Sequence, residues 1–256
     1  MAPLCLVWRS KLIEASQQGR VLHLALNRPE KRNALNISLC RALIEAFAQA
    51  NLDPTIGVIL LSGNGPAFCA GMDLKEALDP GGVDLADLHE RLFTIINRTH
   101  KPIVAAVQGA AVAGGTGLAA NAHIVIAAPD AKFGLTEIRI GLWPVIVFRA
   151  VALAIGERRA TELSITGRFL GAQEAMEYGL VTEIADEPLE RARTIAAEVA
   201  AFSPHTLASG LAYTRQIRGM AWEQAGVLGR ETRDELMKRP EFAKGIQAFL
   251  QGPART

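Results

Sequence analysis

The chain has 256 residues, half of them hydrophobic, and its 27 lysine and arginine residues nearly balance 26 aspartate and glutamate residues. This length is sufficient for a substantial core, and we expect one α/β domain with a helical extension. The formal net charge of +1 provides no strong field for nucleic acid or an anionic membrane, so a small neutral or anionic metabolite is the better partner class.

The cysteines and the first residues indicate the cellular compartment. The chain has three cysteines, Cys5, Cys40 and Cys69, which is an odd number, and it is too large to need disulfide bonds for stability. This predicts reduced thiols in the cytoplasm. At the start, Arg9 and Lys11 follow the apolar residues, which is the reverse of the order in a secretory signal. We therefore expect a cytoplasmic protein.

The first half of the chain alternates short β-like runs with helical patterns, as is typical of parallel strands joined by crossover helices. Strands are predicted at 21–26 and 58–61, and the spacing of apolar residues predicts a helix over about 39–50. Asn36 or Ser38 is available to cap that helix.

The next elements include a long segment without charged side chains. A second amphipathic helix is predicted at 85–96, followed by strands at 103–107 and 124–127. Residues 103–128 contain no aspartate, glutamate, lysine or arginine, but polar residues and glycines interrupt the apolar run. The segment therefore indicates two buried strands and a loop rather than a membrane span.

Helical patterns dominate the rest of the chain after about Pro144, and no Pro/Ser-rich linker interrupts them. We expect a core domain at 1–195 and a helical C-terminal region at 196–256. That region is expected to pack on the core or on a neighbouring subunit.

Two glycine-rich turns each follow a predicted strand and precede a predicted helix. The first is GPAFCAGMDL at 65–74, and the second is QGAAVAGGTG at 108–117. Small residues let a ligand approach backbone N–H groups, and a helix start adds partial positive charge. Each turn alone is also compatible with an ordinary strand-to-helix junction. Together they predict an anion hole for one oxygen, which a thioester enolate requires when its α-proton leaves.

An ordered set of motifs over nearly the whole chain resembles the enoyl-CoA hydratase/isomerase (crotonase) family. They are NRPEKRNAL at 27–35, AFCAGMDL at 67–74, KPIVAAVQG at 101–109, the pair Gly114-Gly115 and TGR at 166–168. The resemblance implies a crotonase-like spiral of ββα units with a helical C-terminal trimerisation region. It also implies an acyl-CoA substrate in fatty acid metabolism and a homotrimer or hexamer, without a metal or a cofactor beyond the coenzyme A of the substrate.

The family resemblance also assigns site residues. It places the two oxyanion N–H donors at Ala70 and Gly114, and the catalytic carboxylate at Glu137. The residues that it places at the substrate are Lys31, Arg32, Ala34, Ala70, Gly71, Met72, Asp73, Leu74, Gly114 and Gly115. Lys31 and Arg32 belong to the loop near the nucleotide of coenzyme A, whose phosphates need cations.

The sequence departs from the hydratases of the family at one catalytic position. Those enzymes use two glutamates, and Gly117 stands where the first is expected, whereas Glu137 matches the second. One carboxylate suffices to take a proton from C2 and return it to C4 while the hole holds the dienolate, which favours a Δ3,Δ2-enoyl-CoA isomerase. The alternatives are an enoyl-CoA hydratase that recruits a second acid between Asp73 and Asp87, and a catalytically weak acyl-CoA-binding protein.

The surroundings of Glu137 can be predicted only in part. As a surface carboxylate it would have no chemical role, whereas as a base it should lie in an apolar pocket that raises its pKa. Leu142, Trp143 and Phe148 are the candidate walls of that pocket. His89, on the predicted second helix, is directed either at the acyl group or at solvent.

Overall fold

The computed structural model describes residues 11–251. Cys5 and the first ten residues, on which the prediction about a secretory signal depends, lie outside the described residues, as do 252–256. The chain divides into two compact units, the first ending at Ala200 and the second beginning at Ala201. The boundary expected between residues 195 and 196 falls inside the helix Pro188–Ala200 (α8), whose end coincides with this division.

The first unit combines strands and helices along the chain. The strands are β1 Ile13–Gln18, β2 Val21–Leu26, β3 Val58–Gly63, β4 Ile103–Val107, β5 Ala110–Val112, β6 Ile124–Ala127, β7 Lys132–Gly134, β8 Phe169–Gly171 and β9 Glu183–Ile184. The helices are α1 Ile37–Leu52, α2 Leu74–Leu78, α3 Leu85–Arg98, α4 Gly114–Asn121, α5 Phe148–Ile155, α6 Glu157–Thr166, α7 Ala172–Tyr178 and α8. Short 3-10 turns cover Pro29–Lys31 and Glu137–Ile140.

The first unit contains a six-stranded sheet with the strand order β1-β2-β3-β4-β6-β9. Only β1 is antiparallel to its neighbour, so the predicted parallel arrangement with crossover helices is confirmed for β2, β3, β4 and β6. Strand β9, which was not predicted, is also parallel to its neighbour β6. A second sheet has the order β5-β7-β8. Because β3 and β4 are parallel neighbours, their carboxyl ends lie at the same edge of the sheet, and the two glycine-rich turns begin there.

Apolar periodicity explains the packing of the first helix. Helix α1 begins after Asn36, whose side chain accepts a hydrogen bond of 2.9 Å from the N–H of Leu39. Its residues at spacings of three and four, among them Leu43 and Phe47, are fully buried against the sheet. The opposite face of the sheet is covered by α8, through a second cluster that includes Ala192 and Ala196.

The charge-free segment 103–128 forms β4, β5, α4 and β6. Within residues 11–251, no helix is long and apolar enough to cross a membrane. The second unit consists of α9 Pro204–Gln216, α10 Trp222–Met237 and α11 Pro240–Gln251, and the described part of these helices contains no buried residue.

Candidate active site

A cavity of about 460 Å³ lies beside the two glycine-rich turns, and its size suits a small-molecule site. The turns contribute Ala70, Met72, Leu74, Ala113 and Gly114 to its lining. The remaining lining residues come mainly from α3 and from the segment 136–147, and most of them are apolar. The lining residues with polar side-chain groups are His89, Thr136, Glu137, Arg139 and Trp143.

Backbone hydrogen bonds hold the two turns side by side. Cys69 donates its N–H to the carbonyl of Ala110 at 3.0 Å and accepts from the N–H of Val112 at 2.9 Å. Gly71 has φ +84°, and a Cβ built there would lie 2.8 Å from the Val112 oxygen and 3.3 Å from the Gly114 nitrogen. The first turn thus requires glycine at 71 for both its conformation and its close approach to the second turn.

The structure corrects the first predicted donor, because the N–H of Ala70 is already donated to the carbonyl of Arg32 at 2.9 Å. The next carbonyl, that of Gly71, accepts from the N–H of Leu35 at 2.7 Å. Since N–H and C=O point in opposite directions across a trans peptide, the N–H of Met72 is directed away from Leu35. It has no hydrogen-bond partner among the described residues, and Met72 lines the cavity. The available donor is therefore Met72 rather than Ala70.

The second predicted donor, Gly114, is the first residue of α4, so its N–H has no partner within the helix. The helix start adds partial positive charge at this point. The preceding residue, Ala113, has φ +52° and donates its N–H to the carbonyl of Gly134 at 2.7 Å. A Cβ at Gly115 would lie only 2.1 Å from the Cys69 oxygen, which explains glycine at position 115. Two backbone N–H groups, from Met72 and Gly114, are thus available at one cavity.

Glu137 begins the 3-10 turn that follows β7, and it is one of the residues that line the cavity. Its Oε2 atom is buried and has no hydrogen-bond partner among residues 11–251. Burial raises the pKa of the Glu137 carboxyl, while its own backbone N–H acts in the opposite direction. A carboxylate in this environment suits a general base rather than a solvated surface charge.

Two of the three predicted pocket walls line the cavity. Leu142 and Trp143 do so, whereas Phe148 packs on Trp143 with ring centroids 6.2 Å apart. His89 also lines the cavity, and burial lowers its pKa, which keeps the ring neutral near pH 7. The direction predicted for the Glu137 pKa agrees with the structure.

The side-chain space at Gly117 is already filled. A Cβ built there would lie 2.4 Å from Val147 Cγ1 and 3.1 Å from Phe93 Cε1. A glutamate at this position would therefore require Val147 to move. The sequence shows that position 117 lacks a carboxylate. It does not indicate that Val147 fills the space beside this position.

The predicted substrate residues fall into two sets. Ala70, Met72, Leu74 and Gly114 line the cavity, whereas Lys31, Arg32, Ala34, Gly71, Asp73 and Gly115 do not. Lys31 and Arg32 are exposed on the loop before Asn33, and the Asp73 carboxylate pairs with Arg28 at 3.1 Å.

Several residues that line the cavity were not predicted from the sequence, among them Phe93, Thr136, Arg139, Val147 and Phe169. Phe93 lies on the buried face of the predicted helix, so its periodicity could have suggested it. No sequence signal marks Phe169, whose ring packs 5.1 Å from the Arg139 guanidinium, because it follows Arg139 by thirty residues.

The two described cysteines are buried thiols without a disulfide. Burial raises the pKa of both Cys40 and Cys69 to about 12. Because the thiolate is the reactive form, Cys69 is a packing residue despite its place beside the donors.

Comparison with known proteins supports these observations. Residues 16–252 match the family model described as enoyl-CoA hydratase/isomerase. A 2,3-dehydroadipyl-CoA hydratase of Escherichia coli is 34% identical over 246 residues, which cover 94% of this chain and 96% of that protein. A mitochondrial Delta(3,5)-Delta(2,4)-dienoyl-CoA isomerase of Rattus norvegicus is 34% identical over 208 residues, which cover 74% of this chain and 64% of that protein.

Solved structures show the same likeness. An enoyl-CoA hydratase of Mycobacterium smegmatis superposes with a TM-score of 0.88 at 28% identity, covering 94% of this chain and 97% of that one. An enoyl-CoA hydratase/isomerase (crotonase) of Legionella pneumophila superposes with a TM-score of 0.87. The predicted crotonase-like fold is therefore confirmed, and the chain belongs to the enoyl-CoA hydratase/isomerase family of enzymes.

Proposed function

We propose that this enzyme is a Δ3,Δ2-enoyl-CoA isomerase of fatty acid metabolism. The observation that carries the proposal is a single carboxylate, Glu137, which shares an apolar cavity with two available backbone N–H groups. Proton removal from C2 and proton return to C4 require one base and one oxyanion hole. The cavity supplies both.

In the proposed reaction, the Glu137 carboxylate takes a proton from C2 of a 3-enoyl-CoA. The electron pair of the C–H bond moves through the thioester to its oxygen, and the N–H groups of Met72 and Gly114 stabilise the negative charge. Protonated Glu137 then donates the same proton to C4, which leaves the double bond between C2 and C3. Each backbone donor of this kind contributes about 10²–10³ in turnover.

A hydratase needs a second polar group that positions water, and the acids between residues 73 and 87 are engaged elsewhere. Asp73 pairs with Arg28, and Glu76 accepts the N–H of Ile37 at 2.6 Å. Asp84 caps α3, and none of these acids lines the cavity. Asp79 and Asp87, the other two acids of this segment, also do not line the cavity, and Asp87 pairs with Arg91 at 3.7 Å. These contacts favour isomerisation over a hydratase that uses this segment.

Hydration is the second candidate function because His89 lines the same cavity as Glu137. The named relatives include both hydratases and isomerases, so family membership alone does not decide between them. A neutral imidazole is able to accept a proton from water, and His89 would then act as the second group. In that case His89→Gln would abolish water addition to a 2-enoyl-CoA.

The experiment that separates the functions uses two substrates. Migration of the double bond in a 3-enoyl-CoA supports the isomerase, water addition to a 2-enoyl-CoA supports the hydratase, and neither reaction indicates an acyl-CoA-binding protein. Glu137→Gln should lower isomerase turnover by about 10²–10⁴ while acyl-CoA still binds, because general acid–base catalysis contributes that much. Glu198→Gln, an exposed glutamate on α8, is the control. Unchanged turnover in Glu137→Gln would reject Glu137 as the base.

The proposal includes the way in which coenzyme A is held. The exposed Lys31 and Arg32 are proposed to contact its phosphates, and coenzyme A enters as part of the substrate. The reaction requires no separate cofactor and no metal.

We also propose a homotrimer or hexamer in the cytoplasm. Phe249 and Leu250 on α11 are 86% and 77% exposed, which supports self-association. The buried cysteines without a disulfide fit a reducing compartment.

A further inference from the structure

Val147 fills the helix face beside one of the proposed oxyanion donors. Gly117 lies three residues after Gly114 on α4, so the two positions lie on the same side of the helix. A Cβ at Gly117 would lie 2.4 Å from Val147 Cγ1 and 2.7 Å from Val147 Cβ. The valine side chain therefore occupies the space next to the donor that any larger residue at 117 would need.

The wall formed by Val147 and Phe93 is apolar and closed. Val147 is 4% exposed and Phe93 is 7% exposed, yet both line the cavity. A water molecule held in a protein needs two to four hydrogen-bonding partners, and neither side chain offers one. The wall thus removes the place beside the N–H of Gly114 where a water could be bound.

We propose that Val147 is a specificity-determining residue that keeps water away from the bound enolate. This proposal rests on the proposed function, since it concerns the fate of the proton that Glu137 removes. The proton on the Glu137 carboxyl is either returned to C4 of the dienolate or exchanged with solvent. When water is excluded, return to the substrate is faster than exchange.

The test measures proton exchange in deuterium oxide. A 3-enoyl-CoA is converted by the parent enzyme and by Val147→Ala, and mass spectrometry gives the deuterium at C4 of the product. The substitution removes two methyl groups and opens room for water, whose share of liquid volume is about 30 Å³. We expect the ratio of exchange to direct transfer to rise about tenfold, equivalent to about 1.4 kcal/mol in relative barrier height.

Val151→Ala is the matched control, because Val151 lies one turn further along and is fully buried but does not line the cavity. It reproduces the loss of two buried methyl groups without opening the site. Deuterium incorporation should match that of the parent. Equal incorporation in Val147→Ala and the parent would overturn the proposal.

A second measurement separates this proposal from the isomerase assignment. Exchange of the C2 protons of a saturated acyl-CoA in deuterium oxide needs enolate formation but no double-bond migration. If the parent does not isomerise a 3-enoyl-CoA, the proposed function fails, and faster C2 exchange in Val147→Ala still supports the role of Val147. Unchanged C2 exchange in that variant rejects the role, whatever the parent does with 3-enoyl-CoA.

The packing itself is tested by Gly117→Ala in two backgrounds. In the parent the new methyl group meets Val147, so the melting temperature should fall. In the Val147→Ala background the 2.4 Å contact with Cγ1 is removed while the 2.7 Å contact with Cβ remains, so the melting temperature should fall less. The same downward shift in both backgrounds would contradict the proposed packing of Val147 against Gly117.

Discussion

At the scale of single residues, the buried carboxylate of Glu137 should lower the free energy of unfolding while it serves as the proposed base. Burial raises its pKa, so the folded chain binds a proton more tightly than the unfolded chain. Folding is then favoured while the group is protonated, and this advantage is lost as pH rises through the raised pKa. At neutral pH the ionised carboxylate is therefore destabilising.

Glu137→Gln should therefore increase the free energy of unfolding. The increase should be largest at about pH 8 and should shrink as pH falls towards the ordinary glutamate range, where the parent carboxyl is also neutral. Urea denaturation at several pH values measures it. A variant less stable than the parent at about pH 8 would show that the carboxylate stabilises the fold.

The same raised pKa predicts the pH dependence of turnover. The base must be ionised, so kcat/KM for isomerisation should rise with pH and level off above the folded pKa of Glu137. The midpoint should lie above the ordinary value of 4.5. A rate profile for 3-enoyl-CoA determines it, and a midpoint at or below 4.5 would contradict the apolar setting of the carboxyl.

A further prediction concerns Gly71, because it has a positive φ and also lies very close to the second glycine-rich turn. Gly71→Ala would place a methyl group 2.8 Å from the Val112 oxygen and 2.9 Å from Ala113 Cβ, so the two donors must separate. We expect turnover to fall by about 10²–10³, the cost of losing one oxyanion donor.

Gly156→Ala provides the control for Gly71→Ala. Gly156 also has φ +84°, but nothing lies within 4 Å of a Cβ built there. This variant should lose stability through backbone strain and keep its turnover. Equal turnover losses in both variants would mean that strain, rather than separation of the turns, is responsible.

The donors show what a sequence can and cannot predict at this scale. The glycine-rich turns and the family resemblance indicate an oxyanion hole, but they do not decide between Ala70 and Met72. That choice depends on which N–H group another backbone uses, and the carbonyl of Arg32 takes the one at Ala70. The residues between these partners give no periodic pattern that reveals such a bond.

At the scale of elements, the side chain of Asn33 forms hydrogen bonds with the backbone of three residues around the first glycine-rich turn. It is fully buried, and its amide donates to the carbonyls of Asn64 at 3.0 Å and Ala67 at 2.8 Å. Its oxygen accepts the N–H of Arg28 at 2.8 Å. The side chain thereby fixes the loop that supplies the Arg32 carbonyl.

We predict that Asn33→Ala lowers the free energy of unfolding by about 2–5 kcal/mol, because each buried group left unsatisfied costs about 1–3 kcal/mol. Turnover should also fall, since the first turn loses its support while Glu137 is untouched. Chemical denaturation and steady-state kinetics check the two effects. A stable variant with parental kcat would show that the remaining backbone hydrogen bonds suffice.

Long elements with clear periodicity were predictable. The prediction for β2 matches its observed bounds, and those for α1 and α3 place the buried faces correctly. Strand β1, with four polar residues in six, and the short strand β9 were not predicted. Such strands are defined by their neighbours in the sheet, so their own sequences carry little signal.

At the scale of the whole molecule, the apolar face of α11 is a candidate surface for the proposed self-association. Phe242, Ile246, Phe249 and Leu250 recur at helical spacing, and each is at least 40% exposed. Burial of apolar surface is the main favourable contribution to most protein–protein association. Phe249 and Leu250 remain 86% and 77% exposed in a single chain, so this end of the face is uncovered.

We predict that Phe249→Glu reduces the mass of the assembly in light scattering. Phe249 is the most exposed residue of this face, and a charge placed there must lose water on association without an opposite charge to compensate. Gln251→Glu, on the other side of α11, adds the same charge away from the face and should leave the mass unchanged. An unchanged mass for Phe249→Glu would assign self-association to another surface.

The position of Met72 in the cavity has an evolutionary consequence. The N–H group of Met72 is proposed to stabilise the enolate, and Met72 is also one of the residues that line the cavity proposed to hold the acyl group. Substitutions at position 72 therefore change the shape of the site. They preserve the backbone N–H group, because every residue except proline has one. An enzyme built in this way can acquire new acyl preferences by single mutations without losing its catalytic machinery, whereas alanine scanning would overlook the machinery itself.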